Sequence, residues 1–195
     1  MAGRSSPRRR AWPARTIRVV NIVGQPRMRA AQAHDLPALA ALYAQAARTL
    51  GPLVYTSEQV QAWAGFAADG PAFRRYVLDA DTWLVQDTER RILGFCGFSL
   101  VGERLDEAEV HSLYVRPEDG RKGLGRRLLH DALARARAAG ARRFHAWATP
   151  FSRALFERAG LPLVQTVRAP FADLIFERYR MSGDGPQDNG HPQLA

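Results

Sequence analysis

The spacing of apolar positions along the chain changes period near residue 82, and that change predicts where helices give way to strands. Leu36, Leu39, Leu42, Tyr43 and Ala46 recur three or four residues apart, the repeat of one helical face. Asp35 stands before them as an N-cap, Pro37 falls in the tolerant first turn, and Gly51-Pro52 ends the run. Thr56-Ser57-Glu58-Gln59 has the pattern of a capping box and predicts a second helix through Trp63. Gly70-Pro71 opens a further short helix carrying Phe73, Tyr76 and Val77. Ahead of these helices, Arg29 to Gln32 reads as a short strand.

Beyond residue 82 the chain turns to β-rich runs. Thr82 to Gln86 and Ile92 to Leu100 flank the polar turn Asp87-Thr88-Glu89-Arg90 and predict a hairpin. Ala108 to Val115 predicts the next strand, and Leu124, Leu128, Leu129 and Leu133 mark a helix ending near Gly140. Arg143 to Ala148 is a strand, Ser152 to Ala159 a short helix, and Leu161 to Val167 and Ala172 to Tyr179 are two closing strands. The order β-α-α-β-β-β-α-β-α-β-β, with the further short helix, implies an α/β (α+β) fold: a mixed sheet with helices on both faces.

Charge alters this picture only at one end. The formal net charge is +9, but residues 1–27 hold seven arginines and no acid. The remaining 21 basic and 19 acidic residues leave the body at +2, which argues against a broad nucleic-acid footprint. Three segments are therefore expected: a basic, disordered extension over residues 1–27, one domain over 28–181, and a polar, disordered tail over 182–195. No apolar run reaches the ~20 residues of a membrane span. The single cysteine, Cys96, excludes an internal disulfide and fits a reducing cytoplasm. The five histidines lack zinc spacing, so no metal site is expected.

The chemistry concentrates in Val115-Arg116-Pro117-Glu118-Asp119-Gly120-Arg121-Lys122-Gly123-Leu124-Gly125-Arg126, where a strand runs through a basic glycine-rich turn into a helix. Unpaired amides at a helix start, together with the macrodipole, favour an anion such as phosphate. Glycines at 123 and 125 let a ligand approach the backbone.

Glu109-Val110-His111-Ser112-Leu113-Tyr114-Val115-Arg116-Pro117, the glycine turn, and Ala154-Leu155-Phe156-Glu157-Arg158-Ala159-Gly160-Leu161 together resemble the GNAT superfamily of acetyl-CoA-dependent N-acetyltransferases. Arg48-Thr49-Leu50-Gly51, Tyr55 and Gln59 to Trp63 are similar to its bacterial YafP-like branch. The resemblance implies a mostly antiparallel mixed sheet of about seven strands. It also implies acetyl-CoA as co-substrate and acetyl transfer to a primary amine on a small molecule or a protein. Backbone groups of Leu113, Tyr114 and Val115 would align the pantetheine arm. Arg121, Lys122, Gly123, Leu124, Gly125 and Arg126 would hold the pyrophosphate, and Ser152 could reach the coenzyme.

For the proton leaving the amine, Glu109 and His111 are the candidates, since strand alternation puts them on one face about 7 Å apart. A histidine can also relay a proton near neutral pH. The alternative is structural: Glu109 paired with an arginine, His111 hydrogen-bonded within the sheet. Tyr55 and Trp63, with Phe66 and Trp147, could cover the acceptor. Three positions depart from the family pattern. Gly120 stands at a usual Arg or Gln, Leu161 at a usual Phe, and Phe156 at the tyrosine that often protonates the thiolate. Phe156 leaves the acid unassigned among Ser152, Tyr114, Tyr179 and water. It also keeps open an acyl-CoA sensor with a degenerate site. The basic N-terminus keeps open an acetylating toxin acting on aminoacyl-tRNA. The resemblance further implies that two copies could pair.

Overall fold

A computed structural model describes residues 26–185; the expected extension, apart from its last two residues, and most of the expected tail lie outside them. The chain runs β1 (Arg27–Ala30), α1 (Leu36–Leu50), α2 (Ser57–Gly65), α3 (Gly70–Leu78), β2 (Asp81–Gln86), β3 (Ile92–Val101) and β4 (Glu107–Val115). It continues as α4 (Leu124–Ala138), β5 (Arg143–Ala148), α5 (Arg153–Arg158), β6 (Leu163–Phe171) and β7 (Leu174–Gly183). The seven strands form one sheet in the order β1-β2-β3-β4-β5-β7-β6, antiparallel throughout except for the β4–β5 pair. The expected mixed, mostly antiparallel sheet is thus the architecture observed.

Helices cover both faces, as two separate cores require. On one face Leu39, Leu42 and Tyr43 of α1, Trp63 of α2, and Phe73 and Val77 of α3 pack on Leu84, Phe95 and Phe176. On the other, Leu128, Leu129 and Leu133 of α4 and Phe156 of α5 pack on Val85, Phe98, Val110, Phe144, Ala146 and Met181.

Two expectations at the ends are corrected. The closing strands sit later than the pattern suggests, because Ala172 and Asp173 both take positive φ (48° and 62°) and make the hairpin turn. A right-twisted hairpin favours such a turn, but Ala-Asp is not the Asn-Gly or Asp-Gly pair that announces it. As a result β7 runs to Gly183, which pairs with Phe144, so the sheet enters the stretch expected to be tail. Asp35, expected to cap α1, makes no capping bond to that helix. It is buried, accepts from the Gln32 amide at 2.9 Å, and takes both guanidinium branches of Arg29 at 2.7 Å. A short 3-10 turn at Ala33–Asp35 moves the carboxylate off the helix axis and toward β1.

Candidate active site

The centre of the molecule is shaped by one irregularity in β4. His111 stands opposite Gly97 and Tyr114 opposite Phe95, so Ser112 and Leu113 share a single partner position on β3. That is a β-bulge, and Ser112 takes its extra residue with φ +62°. The bulge reverses the side-chain alternation downstream. Tyr114 joins the α1–α3 core, while Leu113 and Val115 turn to the α4 side. Strict alternation would have placed them the other way round. On β3 the close approach needs Gly94, where a Cβ would lie 2.7 Å from the Tyr114 carbonyl oxygen.

The bulge also parts two strands. β4 and β5 pair from Glu107–Arg143 to Val110–Ala146 and no further. Beyond that point β4 stays with β3 as far as Val115, and β5 stays with β7 as far as Ala148–Tyr179. The stretch of β4 from Ser112 to Val115 therefore has no strand beside it on its β5 side. An extended ligand could lie there as a substitute strand, using backbone groups of Leu113, Tyr114 and Val115.

At the end of that stretch, α4 begins without a cap. Gly123 precedes it with φ +82°, no side chain caps the turn, and its carbonyl accepts from the Arg127 amide at 3.0 Å. The amides of Gly123, Leu124, Gly125 and Arg126 have no acceptor inside the helix. Nothing lies within 4 Å of the place where a Gly123 side chain would start. Arg121 and Arg126 are exposed beside it. Lys122, expected at the same anion site, is otherwise engaged: its ammonium lies 2.8 Å from Oδ1 of buried Asp119, which also meets Arg91.

Glu109 and His111 lie on the α1–α3 face, as alternation predicts, and both are half-buried. They differ in what holds them. His111 has both ring nitrogens occupied, Nε2 by Ser99 Oγ at 3.2 Å and Nδ1 by Ser112 Oγ at 2.9 Å. Burial holds its pKa below the ordinary histidine value of 6.5, so the ring is neutral at pH 7. Glu109 makes no hydrogen bond or ion pair among the described residues. The next acid along the face, Glu107, is taken by His145 Nε2 at 2.7 Å. The arginine partner considered for Glu109 is not found; the hydrogen-bonded sheet histidine considered for His111 is.

Behind the bulge stands a cluster of aromatic rings that the sequence did not announce as a unit. Tyr43, Tyr76 and Tyr114 bring their hydroxyls together, with the Trp63 indole N–H donating to Tyr114 Oη at 3.2 Å. The Tyr76 hydroxyl accepts from the Ser112 amide at 3.0 Å, so α3 holds the bulge. Burial pushes the Tyr76 and Tyr114 phenols well above their usual range, so both stay protonated at neutral pH. Trp63, expected to touch the acceptor, is instead 9% exposed and stacked on Phe151. It supports the wall from behind because its N–H is spent on Tyr114. Tyr55 is half-buried at the surface of the same cluster and packs edge-on against Phe176.

Ser152 Oγ accepts from the Thr149 amide at 3.0 Å, closing the turn before α5. Tyr179 donates to Glu177 at 2.6 Å, on the opposite face of the sheet from Glu109. Phe156 is buried in the α4–α5 core. Cys96 is buried too, with a thiol pushed up to about 12 by burial, and is no nucleophile at neutral pH. Among the described residues, no group of three or more His, Cys, Asp or Glu could hold a metal ion, and no helix is long and apolar enough to cross a membrane.

Comparison with known proteins adds a family to this geometry. Residues 40–161 match the model of the acetyltransferase (GNAT) family. A search of curated proteins finds no significant match. Among solved structures, the chain resembles a GCN5-related N-acetyltransferase from Rhodopseudomonas palustris at TM-score 0.73 and 22% identity, covering 84% of this chain and 98% of that one. It resembles the PaiA N-acetyltransferase from Thermoplasma acidophilum, solved with coenzyme A, at TM-score 0.67 and 16% identity, covering 83% and 99%. It also resembles the N-acetyltransferase of a ribosomal-protein alanine from Escherichia coli at TM-score 0.60 and 19% identity, covering 88% and 99%. At these identities the structural likeness speaks for the fold, and the family match carries the rest.

Proposed function

The chain belongs to the GNAT family of acetyltransferases, and from that premise we propose that it moves an acetyl group from acetyl-CoA to a primary amine by direct attack on the thioester. The observation that carries this reading is the alignment of two unsatisfied backbone segments. The bare amides at the start of α4 suit a diphosphate, and the unpaired edge of β4 leads from them toward Glu109 and His111. The residues present fit the co-substrate: Gly123 is open where an anion would sit, and the strands part where an extended arm would lie.

Acetyl-CoA supplies the activated acetyl group; overall a C–N bond forms, the C–S bond breaks, and of the two protons the ammonium loses one ends on sulfur and one passes to solvent. The chain's own residues divide the remaining work. Glu109, with an unspent carboxylate, takes the proton from the incoming ammonium, directly or through water. Neutral His111 holds Ser99 and Ser112 in place beside it and can pass a proton between their hydroxyls. An amide of Leu113, Tyr114 or Val115 polarises the acetyl carbonyl, and the first turn of α4 neutralises charge on the diphosphate. Water carries a proton to the departing sulfur, since Phe156 has none to give and the Tyr114 hydroxyl is engaged with Trp63 inside the aromatic cluster. The YafP-like assignment rests on the α1–α2 residues alone. A sensor that binds the thioester without turnover is favoured by Phe156 and by nothing else on this site.

Calorimetry with acetyl-CoA, followed by thiol release with a panel of primary amines, tests the proposal. Binding with amine-dependent release is the expected result. No heat with acetyl-CoA sinks the proposal; heat without release from any amine replaces the enzyme with the sensor.

A further inference from the structure

The face that carries Glu109 also carries the opposite charge two strands away. Side chains of β5 alternate so that Phe144, Ala146 and Ala148 enter the α4–α5 core, which leaves His145 and Trp147 on the face of Glu109. On β7, Met181 and Tyr179 belong to the α4–α5 side, so Phe176, Arg178 and Arg180 share the face of Glu109. At strand spacings of about 4.8 Å, β4 and β7 stand about 10 Å apart with β5 between them.

Arg178 differs from the other arginines of that face. It is half-buried, whereas Arg143 and Arg180 are exposed to water. Its guanidinium carbon lies 5.5 Å from the centre of the Phe171 ring, and it makes no hydrogen bond or ion pair among the described residues. Its charge reaches the hydroxyls of Tyr55 and Tyr43. The Tyr55 hydroxyl, on the loop before α2, likewise has no partner among the described residues. The loop is fixed over β7, because Gln59 Nε2 donates to the Ile175 carbonyl at 2.7 Å and Thr56 closes a capping box. The Phe171 ring backs the guanidinium while its nitrogens stay open to a ligand, and its planar fork matches a carboxylate.

We infer that the acceptor is a zwitterionic amino acid, its amino group on the Glu109 side and its carboxylate held by Arg178 with the Tyr55 hydroxyl. This rests on the acetyl-transfer reading above and names its substrate class. Glu109 and Arg178 have opposite sign and lie on either side of β5, so together they orient an amino acid in one direction. A plain amine would leave Arg178 unmet.

The test sets each common amino acid against the amine formed by removing its carboxylate, with acetyl-CoA and a thiol readout, for the wild type and for Arg178→Gln and Arg178→Lys. The expected result is preference for one or more amino acids over their matched amines. Arg178→Gln should raise KM for the amino acid about 10- to 100-fold, the worth of a charge-assisted pair. KM for acetyl-CoA and the rate with the matched amine should stay as they were, and Arg178→Lys should restore only part of the loss. Equal or better turnover of the matched amines overturns the inference, as does an equal effect of Arg178→Gln on both members of a pair. If acetyl-CoA binds and no amino acid is acetylated, the inference falls while the coenzyme reading stands. If acetyl-CoA does not bind, the reading beneath it has failed instead.

Discussion

The hydroxyl of Tyr76 accepts a hydrogen bond from the amide of Ser112 at 3.0 Å, joining α3 to the residue that bulges β4. Ser112 has no ladder partner at that point, so a side chain from a helix satisfies an amide that the sheet leaves free. Tyr76→Phe would leave that buried donor unmet at a cost of about 1–3 kcal/mol. Urea unfolding should show this loss. KM for acetyl-CoA should rise as well, since the same bulge parts β4 from β5. An unchanged KM would separate the bulge from the binding of the thioester.

Gly123 can be tested in two steps, because its surroundings are open while its backbone is not ordinary. Gly123→Ala should cost about 1–2 kcal/mol of stability from the left-handed φ alone. Gly123→Glu adds a negative charge to a site formed to attract one, and should lower acetyl-CoA affinity at least about tenfold. Titration calorimetry on both variants distinguishes strain from repulsion.

His111 makes a prediction about pH. Burial lowers its folded pKa below 6.5, so below neutrality the unfolded chain binds the proton more readily than the folded one. Its contribution to stability is complete above about pH 6.5 and is lost as the pH falls toward the folded value. His111→Gln should flatten that part of the curve of urea midpoint against pH. An identical slope in the variant would mean that other groups carry it.

Asp35 works with the same sign at lower pH. Hydrogen bonds from Arg29 hold its carboxyl below the usual carboxylate range, so its stabilisation is present above about pH 4 and fades on acidification. Asp35→Ala removes the acceptor for Arg29 and for the Gln32 amide, and should cost about 1–3 kcal/mol at neutral pH. Thermal unfolding at pH 7 measures it.

Glu109→Gln keeps size and hydrogen bonding while removing the base. The expected result is a fall in kcat of about 100-fold or more with KM for acetyl-CoA unchanged. A small effect would assign the proton to water alone.

Much of this protein could be read directly from its residues. The three- and four-residue repeat of α1, the capping box before α2 and the apolar run of β3 are local patterns, and local physics realises them. The glycine turn before α4 was equally plain, because a left-handed Gly123 and bare amides follow from residues adjacent in sequence. Glu109 and His111 share a face because alternation holds up to the bulge. What sequence could not show is everything that depends on strands meeting across the sheet. A positive φ at Ser112 has no marker in its residue type, yet it reverses Tyr114, Leu113 and Val115 and opens β4. Trp63 reads as a candidate for the acceptor wall until packing turns it inward. Arg178 reads as one arginine among many until β7, docked beside β5, leaves it half-buried, unpaired and on the side of Glu109. Side-chain type and period are local properties, so the chain declares them itself; partnership, burial and register arise between distant segments, and only the folded sheet brings those together.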